Sequence, residues 1–423
     1  MSNDLTTVSS VPLLDLNVQY ENLKNKIEDA IQKVLDHKKF IMGPEVKEFE
    51  QQMAEYTGAK YAYGCASGSD ALLLSLMATG IEQGDMVITT PYTFFATAGA
   101  ISRLGAIPVF LDINPVTYNL DPNQVEDFLA GNHFLAKRLD ANPDKVKAMI
   151  PVHLYGQMAD MDPLMELSNK YGITVVEDAA QAIGSRYKGK DAGTIGQFGA
   201  FSFFPSKNLG GFGDGGLVTV NDDELAEKIA ILRVHGSKPK YYHKMVGANS
   251  RLDTLQAAVL KTKLPHLDEW SDARRDNANY YKQLFNEADL SIAAESVNCL
   301  ETCSSMGGDS CNMDEIKDKV VLPTEVEGDP SRGGRHIYHQ FMIRTSQRDY
   351  LQDKLKEANI GNALYYPVPL HEQECFKYLG YNVEDCPASH CASKQTLALP
   401  MYPELNKIQQ EYVVETIQKA LKR

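Results

Sequence analysis

The sequence predicts an α/β fold: a mostly parallel, seven-stranded sheet in a large first domain, followed by a smaller last domain. Three observations predict it. Seven short apolar runs recur between residues 60 and 220, helical periodicity fills several of the gaps between them, and small or polar residues close the runs as turns. Alternation of strand and helix favours a parallel sheet covered on both faces, and such sheets bind ligands at the carboxyl ends of their strands.

In chain order, strands are expected at Tyr61–Cys65, Met86–Thr90, Pro108–Asp112, Ala148–Val152, Thr174–Glu177, Ala200–Phe204 and Leu217–Val220. Helices are expected at Asp70–Met77, Ala96–Leu104 and Pro163–Tyr171, where apolar residues return every three to four positions. A Ser/Gly/Asp-rich stretch near Glu295–Asp314 reads as a surface insertion, and a Pro/Gly-rich run follows at Glu325–Gly334. The expected division is therefore 1–270 for the large domain and 271–423 for the smaller one, with an insertion near 295–334.

The chain has 423 residues, 43% hydrophobic and 23% charged, which is enough for a large core. With 42 basic and 56 acidic residues its net charge is −14, so neither nucleic acid nor an anionic membrane is an expected partner. Any anionic ligand has to be caught by local groups. Residues Met1 to Pro12 do not read as a secretory signal, and no run reaches the roughly 18 apolar residues that span a bilayer. Seven cysteines at irregular spacing argue against a disulfide framework, and the expected compartment is the cytoplasm. Cys299, Cys303 and Cys311 lack knuckle spacing and an obvious fourth ligand, so no metal site is expected.

Lys207 stands between the apolar run ending at Phe204 and a glycine-rich turn. A lysine held there partly desolvated has a lowered pKa, which makes a Schiff base feasible, although a surface lysine after a strand would look the same in sequence. Ala66-Ser67-Gly68-Ser69-Asp70 opens directly into a helix, either as a phosphate seat or as a simple N-cap. Phe94 follows the second strand, where it serves as a core residue or stacks on a planar ring. Glu177 and Asp178 end the fifth strand; period-2 alternation puts them on opposite faces, so one alone points into a given site. Such an anion suits a ring nitrogen that must stay protonated. Gly211-Phe212-Gly213-Asp214-Gly215-Gly216 matches G-x-G-x-x-G in form only, because it leads into a strand and not into a helix.

Taken in order, the Ser-Gly-Ser-x-Ala-Leu turn, Thr-Phe-x-Ala-Thr, Glu-Asp-Ala-Ala-Gln, Phe-Ser-Phe-x-x-x-Lys-Asn-Leu-Gly, Asn249-Ser250-Arg251-Leu252-Asp253 and Tyr366-Pro367-Val368-Pro369-Leu370-His371 resemble the DegT/DnrJ/EryC1/StrS sugar aminotransferases across nearly the whole chain. The resemblance implies a fold-type I aminotransferase dependent on pyridoxal 5′-phosphate (PLP), with a smaller C-terminal α+β domain and shared active sites in a homodimer. It implies Lys207 as covalent anchor and proton shuttle, Asp178 at the ring nitrogen, and Gln181 beside the ring. Gly68, Ser69 and Ser202 would hold the phosphate, Phe94 would stack on the ring, and Asn249 would reach the partner's cofactor phosphate. His243, Arg251, Tyr366 and His371 are the implied substrate contacts. The basic segment from Arg233 to Lys244 reads as a diphosphate pocket or as a solvated loop.

The implied reaction moves an amino group from L-glutamate to a nucleotide-linked keto-sugar. Resemblance around Val152–Gln157 and Lys240–Gln256 favours C-3″, as in UDP-2-acetamido-3-keto-glucuronic acid or a dTDP-3-keto-6-deoxyhexose, over C-4″. A sugar dehydratase of this fold carries histidine in place of the lysine, and a non-catalytic regulator has no need of Lys207, Asp178, Gln181 and Ser202 together.

Overall fold

The computed structural model describes residues 8–294 and 317–422. Its large sheet is built from β1 (Tyr61–Cys65), β2 (Met86–Thr89), β3 (Ile107–Phe110), β4 (Val146–Ile150), β5 (Thr174–Asp178), β6 (Phe198–Ser202) and β7 (Gly216–Val220), in the order β1-β7-β6-β5-β4-β2-β3. From β6 to β3 every pairing is parallel; β7 alone runs antiparallel to both its neighbours. These are the seven expected strands. Two begin two residues earlier than expected, β4 at Val146 and β6 at Phe198. The reason is local: the exposed Lys147 interrupts the apolar run of β4, and Gly199 interrupts that of β6. Gly199 is required there, since a Cβ would come within 2.3 Å of Gly193 Cα.

The sheet is buried on both faces. Met86, Ile88, Val175 and Leu217 enter one core with Phe49, Leu164 and Leu260, while the intervening Val87, Val176 and Val218 enter another with Leu72, Leu74 and Ile101. Helices supply the covers. α1 (Asn17–His37) and α2 (Pro44–Thr57) precede the sheet, α3 (Gly68–Thr79) follows β1, α4 (Ala96–Arg103) follows β2, and α5 (Met161–Tyr171) follows β4. α3 starts where the Ser67 hydroxyl accepts the Asp70 amide at 3.1 Å and stops at Gly80, whose φ of 84° suits glycine.

A second sheet of four short strands, β8 (Ser291–Ile292), β9 (Val320–Val321), β10 (Phe341–Arg344) and β11 (Thr396–Leu399), forms the C-terminal part. α6 (Thr254–Lys263) leads to α7 (Leu267–Glu287), which crosses between the two parts. Leu267 lies in the first core, whereas Ala278, Tyr281 and Phe285 lie in another with Phe341, Leu351, Leu399 and Ile417. The expected boundary at 270 thus falls inside one helix. The chain start also joins the C-terminal core: Val11 is fully buried there and its carbonyl accepts the Gly361 amide at 2.7 Å.

Cys65, Cys375 and Cys386 are free and Cys391 is disulfide-bonded, while Cys299, Cys303 and Cys311 lie outside the described residues. Among the described residues no helix is long and apolar enough to cross a membrane, and no group of metal-ligating side chains occurs.

Candidate active site

The two carboxylates ending β5 point to opposite faces, as period-2 alternation requires. Glu177 shares the face of Val175 and is fully buried. It accepts the amides of Gly193 at 2.9 Å and of Ile195 and Gly196 at 2.7 Å, and its Oε2 lies 2.9 Å from His153 Nε2. Asp178 shares the face of Val176, beneath α4. Its Oδ2 accepts the Thr97 hydroxyl at 2.8 Å, and its Oδ1 accepts the Ala180 amide at 3.3 Å. Burial pushes its pKa up, and these two donors with Lys207 pull against that.

Lys207, in the turn after β6, lies close enough to Asp178 for their charges to act on each other. Burial brings its pKa down to about 8, against the pull of Asp178. An amine so tuned exchanges protons and attacks carbonyls near neutral pH.

A cavity of about 520 Å3 opens between these groups, lined by Gly68, Ser69, Phe94, Asp178, Gln181, Ser202, Lys207 and Tyr366. Its size is that of a small-molecule site, about 300–1,000 Å3. At one end is the first turn of α3, where the Gly68 and Ser69 amides have no intrahelical acceptor. Glycine is needed at 68 because a Cβ would stand 2.7 Å from that of Ser202. Gln181 is held at both ends: Oε1 accepts the Tyr155 amide at 2.8 Å and Nε2 donates to the Tyr366 hydroxyl at 3.1 Å. Phe94 is 58% exposed, with its ring 6.2 Å from that of Tyr366.

The other expected site residues lie elsewhere. Asn249 and Arg251 line a neighbouring open pocket of about 540 Å3 with Ser67 and Asp214. Ser250 between them ties this segment to α3, donating to Asp70 at 2.7 Å and accepting the Ala66 amide at 3.1 Å. His243 and His371, expected to touch substrate, line neither space. His243 sits in an exposed loop with its Nδ1 2.8 Å from the His235 carbonyl. His371 is buried against Tyr381, and burial lowers its pKa to about 4. Conversely, His339, Gln340 and Tyr365 line the cavity without a local signal in the sequence. Thr97 lay inside a quoted motif, but only the fold shows its bond to Asp178.

The DegT/DnrJ/EryC1/StrS aminotransferase family model matches residues 21–316 and 310–418. The chain belongs to this family. It is 48% identical over 408 residues to a protein of Geobacillus stearothermophilus named pleiotropic regulatory protein, covering 96% of this chain and 98% of that one. It is 38% identical over 396 residues to the UDP-2-acetamido-2-deoxy-3-oxo-D-glucuronate aminotransferase of Pseudomonas aeruginosa, covering 94% and 96%. Among solved structures, S. venezuelae DesV in complex with a ketimine intermediate superposes with a TM-score of 0.82 at 36% identity, covering 98% of this chain and all of that one. This family member is a PLP-dependent aminotransferase of fold type I, and the cavity fits the cofactor: a buried amine, a carboxylate facing it, and a glycine-floored helix start for a phosphate.

Proposed function

We propose that this protein moves an amino group from L-glutamate to carbon 3 of a nucleotide-linked keto-sugar. The observation that carries the reading is Lys207 facing Asp178 inside the cavity, with the α3 helix start within the same lining. The Pseudomonas relative is named for a 3-oxo sugar, and relatives from Streptomyces venezuelae and Aneurinibacillus thermoaerophilus, each 37% identical, are named for dTDP-3-amino sugars; these names support carbon 3.

In this reading Lys207 is the covalent anchor, Asp178 holds the ring nitrogen, Gln181 lies beside the ring and Phe94 covers its face. Gly68, Ser69 and Ser202 hold the phosphate. When bound, PLP supplies an electron sink for the charge left as the donor's α-carbon loses its proton. Lys207 Nζ carries that proton, and its pKa of about 8 lets it both accept and return it near neutral pH. Tyr366, fixed by Gln181, bounds the substrate side. The protein works as a homodimer, with Asn249 and Arg251 completing the neighbouring subunit's site from the open pocket they line. The cytoplasm is its compartment: three of the four described cysteines, Cys65, Cys375 and Cys386, are free, and Cys391 is the disulfide-bonded exception.

The name of the Geobacillus relative raises a regulatory role, but a regulator gains nothing from a buried, pKa-lowered lysine beside a carboxylate. The test is spectroscopic. Purified protein loaded with PLP should be yellow, bleach with L-glutamate, and regain colour with a UDP- or dTDP-linked 3-keto sugar. Colour that never bleaches sinks the transaminase reading, and recovery with 4-keto sugars alone moves the reaction to carbon 4.

A further inference from the structure

Beside the active cavity lies a recess of about 50 Å3, and Ser206, His339, Gln340 and Tyr365 wall both spaces. The recess has Arg274 of α7 in its lining. Arg274 is 4% exposed. Its Nη1 is committed to backbone carbonyls, 2.8 Å from Met401, 3.3 Å from His339 and 3.4 Å from Tyr338. Its Nε is buried without a hydrogen-bond partner. No ion pair reaches the guanidinium among the described residues; Glu404 is the acidic group whose charge it feels, and burial still lowers its pKa to about 10.

A guanidinium stays charged, so one kept dry without a paired anion is costly unless an anion visits it. Arg274 and Lys207 are the only lysine and arginine side chains among the described residues lining the two spaces. His339 stands between them and supplies no competing charge: burial, Lys207 and Arg274 all push its pKa well down. Gln340 Oε1 is also buried and unpartnered. Turned about its last bond, that amide presents N–H donors to the same space.

We propose that the recess is a carboxylate subsite in which Arg274, helped by Ser206 and the Gln340 amide, holds one carboxylate of the dicarboxylic amino donor while the donor's amine faces Lys207. This rests on the aminotransferase reading above and adds the place where the donor is recognised. The nucleotide sugar, entering the larger cavity, has no use for this recess.

Glutarate has both carboxylates and no amine, so calorimetry of its binding to the PLP-loaded protein reads the subsite without turnover. Arg274→Gln should weaken glutarate binding, and raise the KM for L-glutamate, by roughly 10–100-fold, the range for losing a charge-assisted contact. The sugar half-reaction, started from the aminated cofactor, should stay within about threefold. Because Arg274 also ties down three carbonyls, Leu14→Trp gives a second arm: Leu14 lines the recess, and the larger side chain should block glutarate while leaving those bonds intact. Unchanged glutarate binding in Leu14→Trp, or in a folded Arg274→Gln, overturns the subsite. A protein that binds glutarate through Arg274 yet aminates no nucleotide sugar overturns the functional reading and supports the subsite.

Discussion

Glu177 and Asp178 are neighbours in sequence, both carboxylates, both buried at the end of one strand, and the fold treats them in opposite ways. Glu177 is saturated by three backbone amides and His153. Asp178 receives one good hydroxyl bond and one long amide bond, with a lysine amine opposite. A carboxylate whose acceptor sites are filled by its own chain is a structural pin, and one left short of donors is poised for a ligand. The contrast separates stability from chemistry within two residues.

The largest effects should come from the underfilled side. Lys207→Ala should leave a folded protein with no measurable transamination. Asp178→Asn keeps the shape but removes the charge opposite the amine, and should lower kcat/KM by about 10³-fold, or roughly 4 kcal/mol. Equal loss from Glu177→Gln would break the comparison. Next comes pH. With Lys207 titrating at about 8, uptake of PLP by the ligand-free protein should slow about tenfold per unit below that value, as the reactive free amine is protonated. The stability consequence has the matching sign. The folded pKa lies below the unfolded one, so the unfolded chain binds more protons between about pH 8 and 10.4 and stability gains with pH there; Lys207→Ala should flatten that slope.

On the saturated side, Glu177→Gln replaces an acceptor-only group by one whose N–H2 must face amide donors. It should cost about 3 kcal/mol of stability, read as a lower melting temperature or denaturant midpoint, with kcat changed only a few fold. A variant of wild-type stability and dead chemistry would reverse the assignment.

That the two carboxylates face apart was legible from strand periodicity; which faced the site was not, because nothing local distinguishes the faces of a doubly covered sheet. The same divide runs through the whole site. Lys207 and the Gly68–Ser69 helix start could be singled out as candidates from their own surroundings, whereas Gln181, Ser202 and the choice of Asp178 over Glu177 came only through the resemblance of the motifs that carry them. His339, Gln340, Tyr365 and Arg274 reach the cavity or its recess only through the packing of the C-terminal part, and no short pattern marks them. The expected strands came from unbroken apolar runs, so β4 and β6 started late where Lys147 and Gly199 broke the run. His371 was a candidate through the resemblance alone, and only the packing against Tyr381 shows it buried.

Thr97 gives the smallest and sharpest test of the contrast. Its hydroxyl donates its one proton to Asp178, so at the 3.1 Å contact with Thr93 it can only accept. Thr97→Val keeps the shape of α4 and deletes the better of the two donors that hold the Asp178 charge against burial. The carboxylate pKa should rise further, so less of it is anionic at a given pH and, in the function proposed above, the ring nitrogen is held less firmly in its protonated form. The expected loss in kcat is about tenfold, close to 1.4 kcal/mol, with the KM for L-glutamate little changed. The absorbance of bound PLP followed against pH should shift its midpoint in the same variant, a readout that loosened packing alone would not move. Thr97→Ser restores the donor and should restore both. If serine fails where valine fails, restoring the donor is not enough, and the hydroxyl bond by itself is not what keeps Asp178 poised.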